Sequence, residues 1–469
     1  LFFYVSKHKN HLTNTSKFAA QPLEYTFLGG FTMNHYANYV RNTLFKAISE
    51  MEQQMEDFVK NPGHDFSRKG KMEFSDVIKF YISSGSSALD VELCEYADRE
   101  KLNSELPISK SGYIQKRNKL KPDTMENLFH SFNRKIKSKK TFQGYELLAC
   151  DGADQNIFRD PKDKKTHFPG KKERGTFGFN QLHINALYNL LDFRYVHTLI
   201  QSPYEENESS ALIHMVKDLP RNRKTIIIAD RGYETYNIFA NIQEKGLFYL
   251  IRVKDVTSNG SIAGSLCLPS KGEFDEDITL KMTRKQKYLR EKGYKYLAKS
   301  SPFDFLDSEH PFYELSFRIV RILLPNGNYE CLITNLDRKE FSTEKLKTLY
   351  KMRWGIETSF RKLKYTIGMS NLHSKNPEYI CQEIFGKLIL YNFCEIIASH
   401  VVLEQRNKKY EYRVNFTMAV YCCRRYLRDS LFNNIEQLIN RSLTPVKPDR
   451  QYKRRVIKKR WISFTYRAA

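Results

Sequence analysis

A chain of 469 residues that is 41% hydrophobic and 13% aromatic can bury a sizeable core and fill several domains, so wholesale disorder is excluded. Lysine and arginine number 77 against 53 aspartates and glutamates, a net charge of +24 with a pI near 9.5. That excess calls for a polyanionic partner, whose condensed counterions are released as its phosphates are neutralised.

Residues 1–32 are read as a candidate non-native leader, because Met33 opens a more ordinary start and LFFYVSKHKN lacks the positive region of a secretory signal. Residues 33–140 carry apolar positions at helical spacing in FSDVIKFYI and MENLFHSFNRKI and are expected to form a helical DNA-binding domain. Within it, SKSGYIQKRNKLKP has a serine-rich start, a helix bearing Lys116, Arg117 and Lys119, and a stop at Pro122. Such a helix can lie along a DNA backbone, although a merely solvated helix would show the same pattern. The positive charge is also localised. Residues 110–140 hold ten basic and two acidic side chains, and residues 447–469 hold nine and one, so these stretches supply sixteen of the 24 net units.

The periodicity then turns to strands. YELLAC, LHINALYNL and YVHTLIQ are β-rich, and the short LDFR link between the last two suits a hairpin. A helix in SSALIHMVKDL, a buried strand in TIIIAD, a helix in ETYNIFANIQEKG and a strand in LFYLIRV complete an α/β pattern over 141–253: a mixed sheet covered by helices. Residues 254–335 alternate and are rich in turns, with an Asn326–Gly327 hairpin signal, and are expected to be a β-rich insertion. Helices resume over 336–405, and 406–469 is expected to be helical and basic. The most apolar helix, IFGKLILYNFCEIIASHVV, is interrupted by Lys387 and Glu395, short of the roughly 18 uninterrupted apolar residues of a membrane span. The eight cysteines are scattered without zinc-ligand spacing, as in a reduced cytoplasmic protein.

Three acids stand out. Asp151 ends YELLAC and Asp230 ends TIIIAD, beyond the carboxyl ends of strands, where ligands gather in open α/β sheets. An aspartate after a strand is more often an N-cap, so neither acid alone points to chemistry. In YKMRWGIETSFRKLK, Tyr350, Arg353, Glu357, Arg361 and Lys364 follow one another at intervals of 3, 4, 4 and 3, which places them on one helix face. A single acid flanked by cations is unlike a face laced with surface ion pairs, and those cations also attract phosphate. Two aspartates and a glutamate can hold two divalent cations by oxygen ligation, which suits phosphodiester chemistry and needs no histidine or cysteine cluster.

The spacing of Tyr350, Arg353, Glu357 and Lys364 resembles the Y-(2)-R-(3)-E-(6)-K signature of the IS4-family DDE transposases, with Asp151 in LLACDGAD and Asp230 in IIIADRGYE matching the two catalytic aspartates. The resemblance covers roughly residues 60–460. It implies an RNase H-like core interrupted by the β-rich insertion, with Asp151, Asp230 and Glu357 holding two Mg2+ ions, or Mn2+ in their place. It further implies cleavage at the terminal inverted repeats of a transposon and joining of the freed 3′-hydroxyls to target DNA by a bacterial, nucleoid-associated enzyme acting as a homodimer. In this family Tyr350, Arg353 and Lys364 would contact the end DNA; from charge and placement alone, Arg361 and the helix of Lys116, Arg117 and Lys119 are expected to add DNA contacts. Two other readings remain: a nuclease of the same fold that cuts without joining, and a non-catalytic protein that occupies transposon ends and inhibits transposition.

Overall fold

The computed structural model describes residues 35–99, 108–136, 140–170, 177–205, 207–401, 411–429, 432 and 434–446. The leader at 1–32 and the basic tail at 447–469 lie outside the described residues.

Among the described residues five α-helices come first: α1 (His35–Gln53), α2 (Phe74–Ser83), α3 (Leu89–Arg99), α4 (Lys110–Arg117) and α5 (Thr124–Lys135). The Ser109 hydroxyl caps α4 by accepting from the Gly112 N–H at 3.2 Å, as the serine-rich start suggested. The sheet region follows, with β1 (Glu146–Ile157), β2 (His167–Phe168), β3 (Phe179–Asn189), β4 (Arg194–Gln201), α6 (Glu208–Asp218), β5 (Thr225–Ala229), α7 (Tyr236–Glu244) and β6 (Phe248–Val253). Next come β7 (Phe274–Thr283), β8 (Tyr294–Tyr296), β9 (Phe312–Leu323) and β10 (Tyr329–Thr334), then α8 (Thr343–Met352), α9 (Trp354–Arg361) and α10 (Pro377–Ala398).

One mixed sheet runs β2-β3-β1-β5-β6-β10-β9-β7-β8, with β4 on β3. β1, β5 and β6 are parallel neighbours, and β3 pairs antiparallel with both β1 and β4. The strands of the expected insertion extend this sheet, because β10 pairs antiparallel with the open edge of β6 and β9 and β7 follow it. Gly327 turns the β9–β10 hairpin at φ +82°, a conformation that glycine adopts without strain.

Side chains alternate across the sheet. Leu147 and Ala149 of β1 and Ile226 and Ile228 of β5 face one core, shared with α1, α2, α5, α9 and α10. Leu148, Cys150, Ile227 and Ala229 face the other, under α6 and α7. The N-terminal helices therefore share a continuous core with one sheet face, since Leu44, Phe80 and Leu128 belong to the same cluster as Leu147 and Leu388. α10 lies at its centre and is buried on almost every side, with a cap from Asn376 and Pro377 in its first turn. The C-terminal region, expected to be helical, contains α11 (Phe416–Arg428) and α12 (Ile435–Arg441) but also an antiparallel pair of β11 (Glu411–Val414) and β12 (Leu443–Val446).

Candidate active site

The strand alternation brings the acids together. Asp151 continues the Leu147, Ala149 series, and Asp230 follows Ile226 and Ile228 just beyond β5. Parallel pairing of Ala149 with Ile228 sets these two strand ends side by side, so both aspartates belong to the face that α9 covers. α9 packs there through Ile356 and Phe360, which leaves Glu357 partly exposed.

Arg353 joins helix and strand. Its Nη2 donates to Glu357 Oε1 at 2.8 Å, and its Nη1 lies 3.6 Å from Asp151 Oδ2. Burial pushes the Asp151 carboxyl up to about 6, against the Arg353 charge and the Gly152 N–H, and the nearby Asp230 and Glu357 charges raise it further. Asp230 accepts from the Gly232 N–H at 2.8 Å, which fixes its carboxylate at the strand end. Tyr350 is buried, and its hydroxyl has no hydrogen-bond partner among the described residues. Burial pushes that hydroxyl up, and the Arg353 charge opposes the shift.

Lys364 lies in a single π-helical turn, Lys362–Thr366, that continues α9, and its Nζ donates to the Asp154 carbonyl at 2.6 Å. Burial pulls its ammonium below the ordinary lysine value. Arg361 is exposed on the same helix. The N-terminal basic residues are elsewhere and are not equivalent. Arg117 is buried, 3.7 Å from Glu383 and over the Tyr379 ring, so its guanidinium faces into the fold and not along an exposed basic face. Lys119 lies beyond the end of α4, 3.3 Å from Asp65, and Lys116 is half-buried over Phe66.

The sequence reading missed a second cluster across the sheet. His183, in register with Asp154, meets its Oδ1 through Nδ1 at 2.9 Å and reaches Glu208 Oε1 through Nε2 at 3.4 Å. The His183 hydrogen bond holds the Asp154 carboxyl below its ordinary value. Gly152 makes room for this cluster, because a Cβ there would stand 2.4 Å from His183 Nε2 and 2.5 Å from Glu208 Oε1. Only the β1–β3 register and the start of α6 reveal it.

A family model described as a transposase DDE domain matches residues 142–393, a span that holds all three acids. The chain belongs to the DDE transposase family. Members of this family work with divalent metal ions. The putative transposase InsL of insertion sequence IS186A from Escherichia coli K12 is 36% identical over 66 residues, 14% of this chain and 18% of that protein. The transposase InsG of IS4, from the same strain, is 32% identical over 81 residues, 17% of this chain and 18% of that one. The chain thus spans under a fifth of the length of these curated relatives. A piggyBac transposase synaptic complex with hairpin DNA aligns over 85% of this chain and 81% of that one, at 11% identity and a TM-score of 0.42.

The donors suit the metal ions of this family. Among the described residues no group of three His, Cys, Asp or Glu side chains is already placed to hold a metal ion, and the Arg353 guanidinium lies between Asp151 and Glu357. The donor set is nonetheless all oxygen, as hard cations prefer, and the Asp151 carboxyl is raised chiefly by burial, with smaller contributions from the Asp230 and Glu357 charges. No helix among the described residues is long and apolar enough to cross a membrane.

Proposed function

We propose that this chain is a DNA transposase of an insertion sequence. On this reading it binds the terminal inverted repeats, cuts at the transposon ends and joins the 3′-hydroxyls to target DNA. The observation that carries the reading is the arrival of Asp151, Asp230 and Glu357 at one sheet face, with Arg353 between Asp151 and Glu357, within the span that matches the family. The fold that serves it is an RNase H-like core, in which the parallel neighbours β1 and β5 present Asp151 and Asp230 where their pairing ends and α9 presents Glu357.

Asp151, Asp230 and Glu357 would hold two Mg2+ ions, with Mn2+ able to replace them. When bound, such ions activate the attacking hydroxyl and stabilise the leaving oxygen of an in-line displacement on phosphorus. The protein's own part is positioning. Arg353 offers a buried, forked guanidinium to a phosphate beside the acids, with bidentate geometry that a lysine lacks. Tyr350 contributes a hydroxyl that no described protein group claims, and Lys364 and Arg361 extend the grip along the helix. The bound DNA is expected in the bacterial cytoplasm, on the nucleoid, with two copies of the chain pairing two ends.

Duplexes that carry the inverted repeats flanking the gene, incubated with the chain, Mg2+ and a supercoiled target plasmid, test the reading. Joined products confirm it. Nicking without joining would make the chain a nuclease, and end binding without nicking an inhibitor.

A further inference from the structure

β1 and β3 overrun the rest of the parallel sheet at its catalytic end. The pairing of β5 with β1 stops at Ala149, whereas β1 continues past Asp151 to Ile157, still in register with β3. We propose that the outer end of this ribbon is a stacking platform for unpaired nucleotides flanking the scissile phosphate, an inference that rests on the transposase reading.

Two phenylalanine rings stand out in water there, Phe158 at 41% exposure and Phe177 at 83%. Each has a cation against it. The Lys375 ammonium lies 4.5 Å from the Phe158 centroid, and the Arg159 guanidinium lies 6.0 Å from that of Phe177. Arg159 is held in place, since its Nε donates to the Gly178 carbonyl at 2.9 Å. The root of the ribbon is tied to the catalytic helix by the bond from Lys364 to the Asp154 carbonyl.

Charge decides the occupant. Asp160 and Asp163 are turned onto the backbone, accepting from the Lys162 N–H at 2.9 Å and the Lys165 N–H at 3.2 Å. The side chains of Lys162, Lys164 and Lys165 are exposed around them. A protein partner would call for a contiguous apolar patch, but these rings are interleaved with cations, which suits bases joined by phosphates. Within a duplex both faces of a base are covered by its neighbours. Away from a duplex terminus only an unpaired nucleotide offers a face to a phenylalanine, and its phosphate then falls to Lys375 or Arg159.

Fluorescence anisotropy of the full chain in EDTA, where nothing is cut, tests this with two labelled synthetic duplexes. One is blunt and the other ends in an overhang of about five nucleotides, within the range of single-strand site sizes. The wild-type chain should prefer the overhang by about tenfold, the worth of stacking one base. The Phe158→Ala, Phe177→Ala double variant should lose that preference and keep its affinity for the blunt duplex. In parallel, 2-aminopurine placed in the overhang should be quenched by the wild-type chain and not by the variant. Equal binding of both duplexes by the wild-type chain overturns the platform and leaves the transposase reading standing. A preference that survives the double substitution overturns it too, as does a variant that changes oligomeric state, which would assign the rings to a second copy. Binding of neither duplex removes the transposase reading and this inference with it.

Discussion

Arg117 and Arg353 both face carboxylates, and the contrast between them separates a site from a strut. Arg117 and Glu383 are only 7% and 5% exposed, and the His373 N–H also donates to Glu383 at 2.6 Å. Arg353 is equally buried, at 6%, but its partners Asp151 and Glu357 remain 22% and 37% exposed. The first pair is sealed where α4 meets α10, so its energy goes into cohesion. The second opens at the ends of parallel strands, where carboxylate oxygens can be reached from outside. A basic residue in a basic stretch therefore says little until the burial of its acid is known.

The largest expected effect breaks the open site. Glu357→Gln should reduce metal-dependent nicking of a supercoiled plasmid by about a thousandfold or more, because it removes a proposed ligand and keeps the shape of the side chain. DNA affinity in EDTA should be unchanged, because the phosphate-binding groups remain. Undiminished nicking in Mg2+ would remove Glu357 from the site.

Breaking the closed pair should do the opposite. Arg117→Ala leaves Glu383 buried without its guanidinium and is expected to cost about 3 to 5 kcal/mol of stability, read by denaturant unfolding. Nicking by the protein that stays folded should be normal. A variant that kept its stability and lost DNA affinity would return Arg117 to the DNA interface. Lys116, half-buried over Phe66, provides the control: its alanine variant should leave stability nearly unchanged.

These contrasts also show what the sequence could and could not reveal. The buried run TIIIA and the apolar end of YELLAC announce central strands, and an acid after each announces a place where ligands gather. The helical spacing from Tyr350 to Lys364 announces one face. None of this says that β1 and β5 are adjacent, and that adjacency alone puts Asp151 beside Asp230. Arg117 was illegible for the same reason, since Glu383 is distant along the chain. The strands of residues 254–335 were visible as alternation, but their union with the central sheet depends on which edge of β6 stays open. His183 and Glu208 gave no local signal, because their meeting requires the β3 register and the start of α6.

A smaller effect sharpens the comparison through pH. Asp151 titrates near 6 in the folded chain, above its ordinary value of 3.8, so the folded state holds its proton more tightly than the unfolded state does. That contribution to stability is complete below about pH 4 and is lost as pH rises through 6. In metal-free buffer at pH 8, Asp151→Asn should therefore stabilise the chain by on the order of 2 to 3 kcal/mol, and the gain should vanish near pH 4. A pH-independent difference would show that Asp151 carries no such cost. The closed pair behaves otherwise: burial raises the Glu383 carboxyl, but His373 and Arg117 outweigh it and hold that carboxyl low.

The smallest effect concerns the far side of the same strand. Gly152→Ala would drive a methyl group into the His183 ring and the Glu208 carboxylate. The Glu208 side chain can swing away, but His183 is buried at 4% and its ring must shift with the strand. Overpacking of this kind costs about 1 to 3 kcal/mol, and the lower end is expected here because one obstacle is the flexible end of a glutamate. The displacement has a route to the catalytic face, since Asp154, which binds His183, also presents the carbonyl that anchors Lys364. DNA affinity should consequently fall together with stability in Gly152→Ala. Glu208→Ala in the same background should restore stability by emptying half of the space, and DNA affinity should return with it. Restored stability without restored affinity would show that the two faces of β1 act independently and that Gly152 serves packing alone.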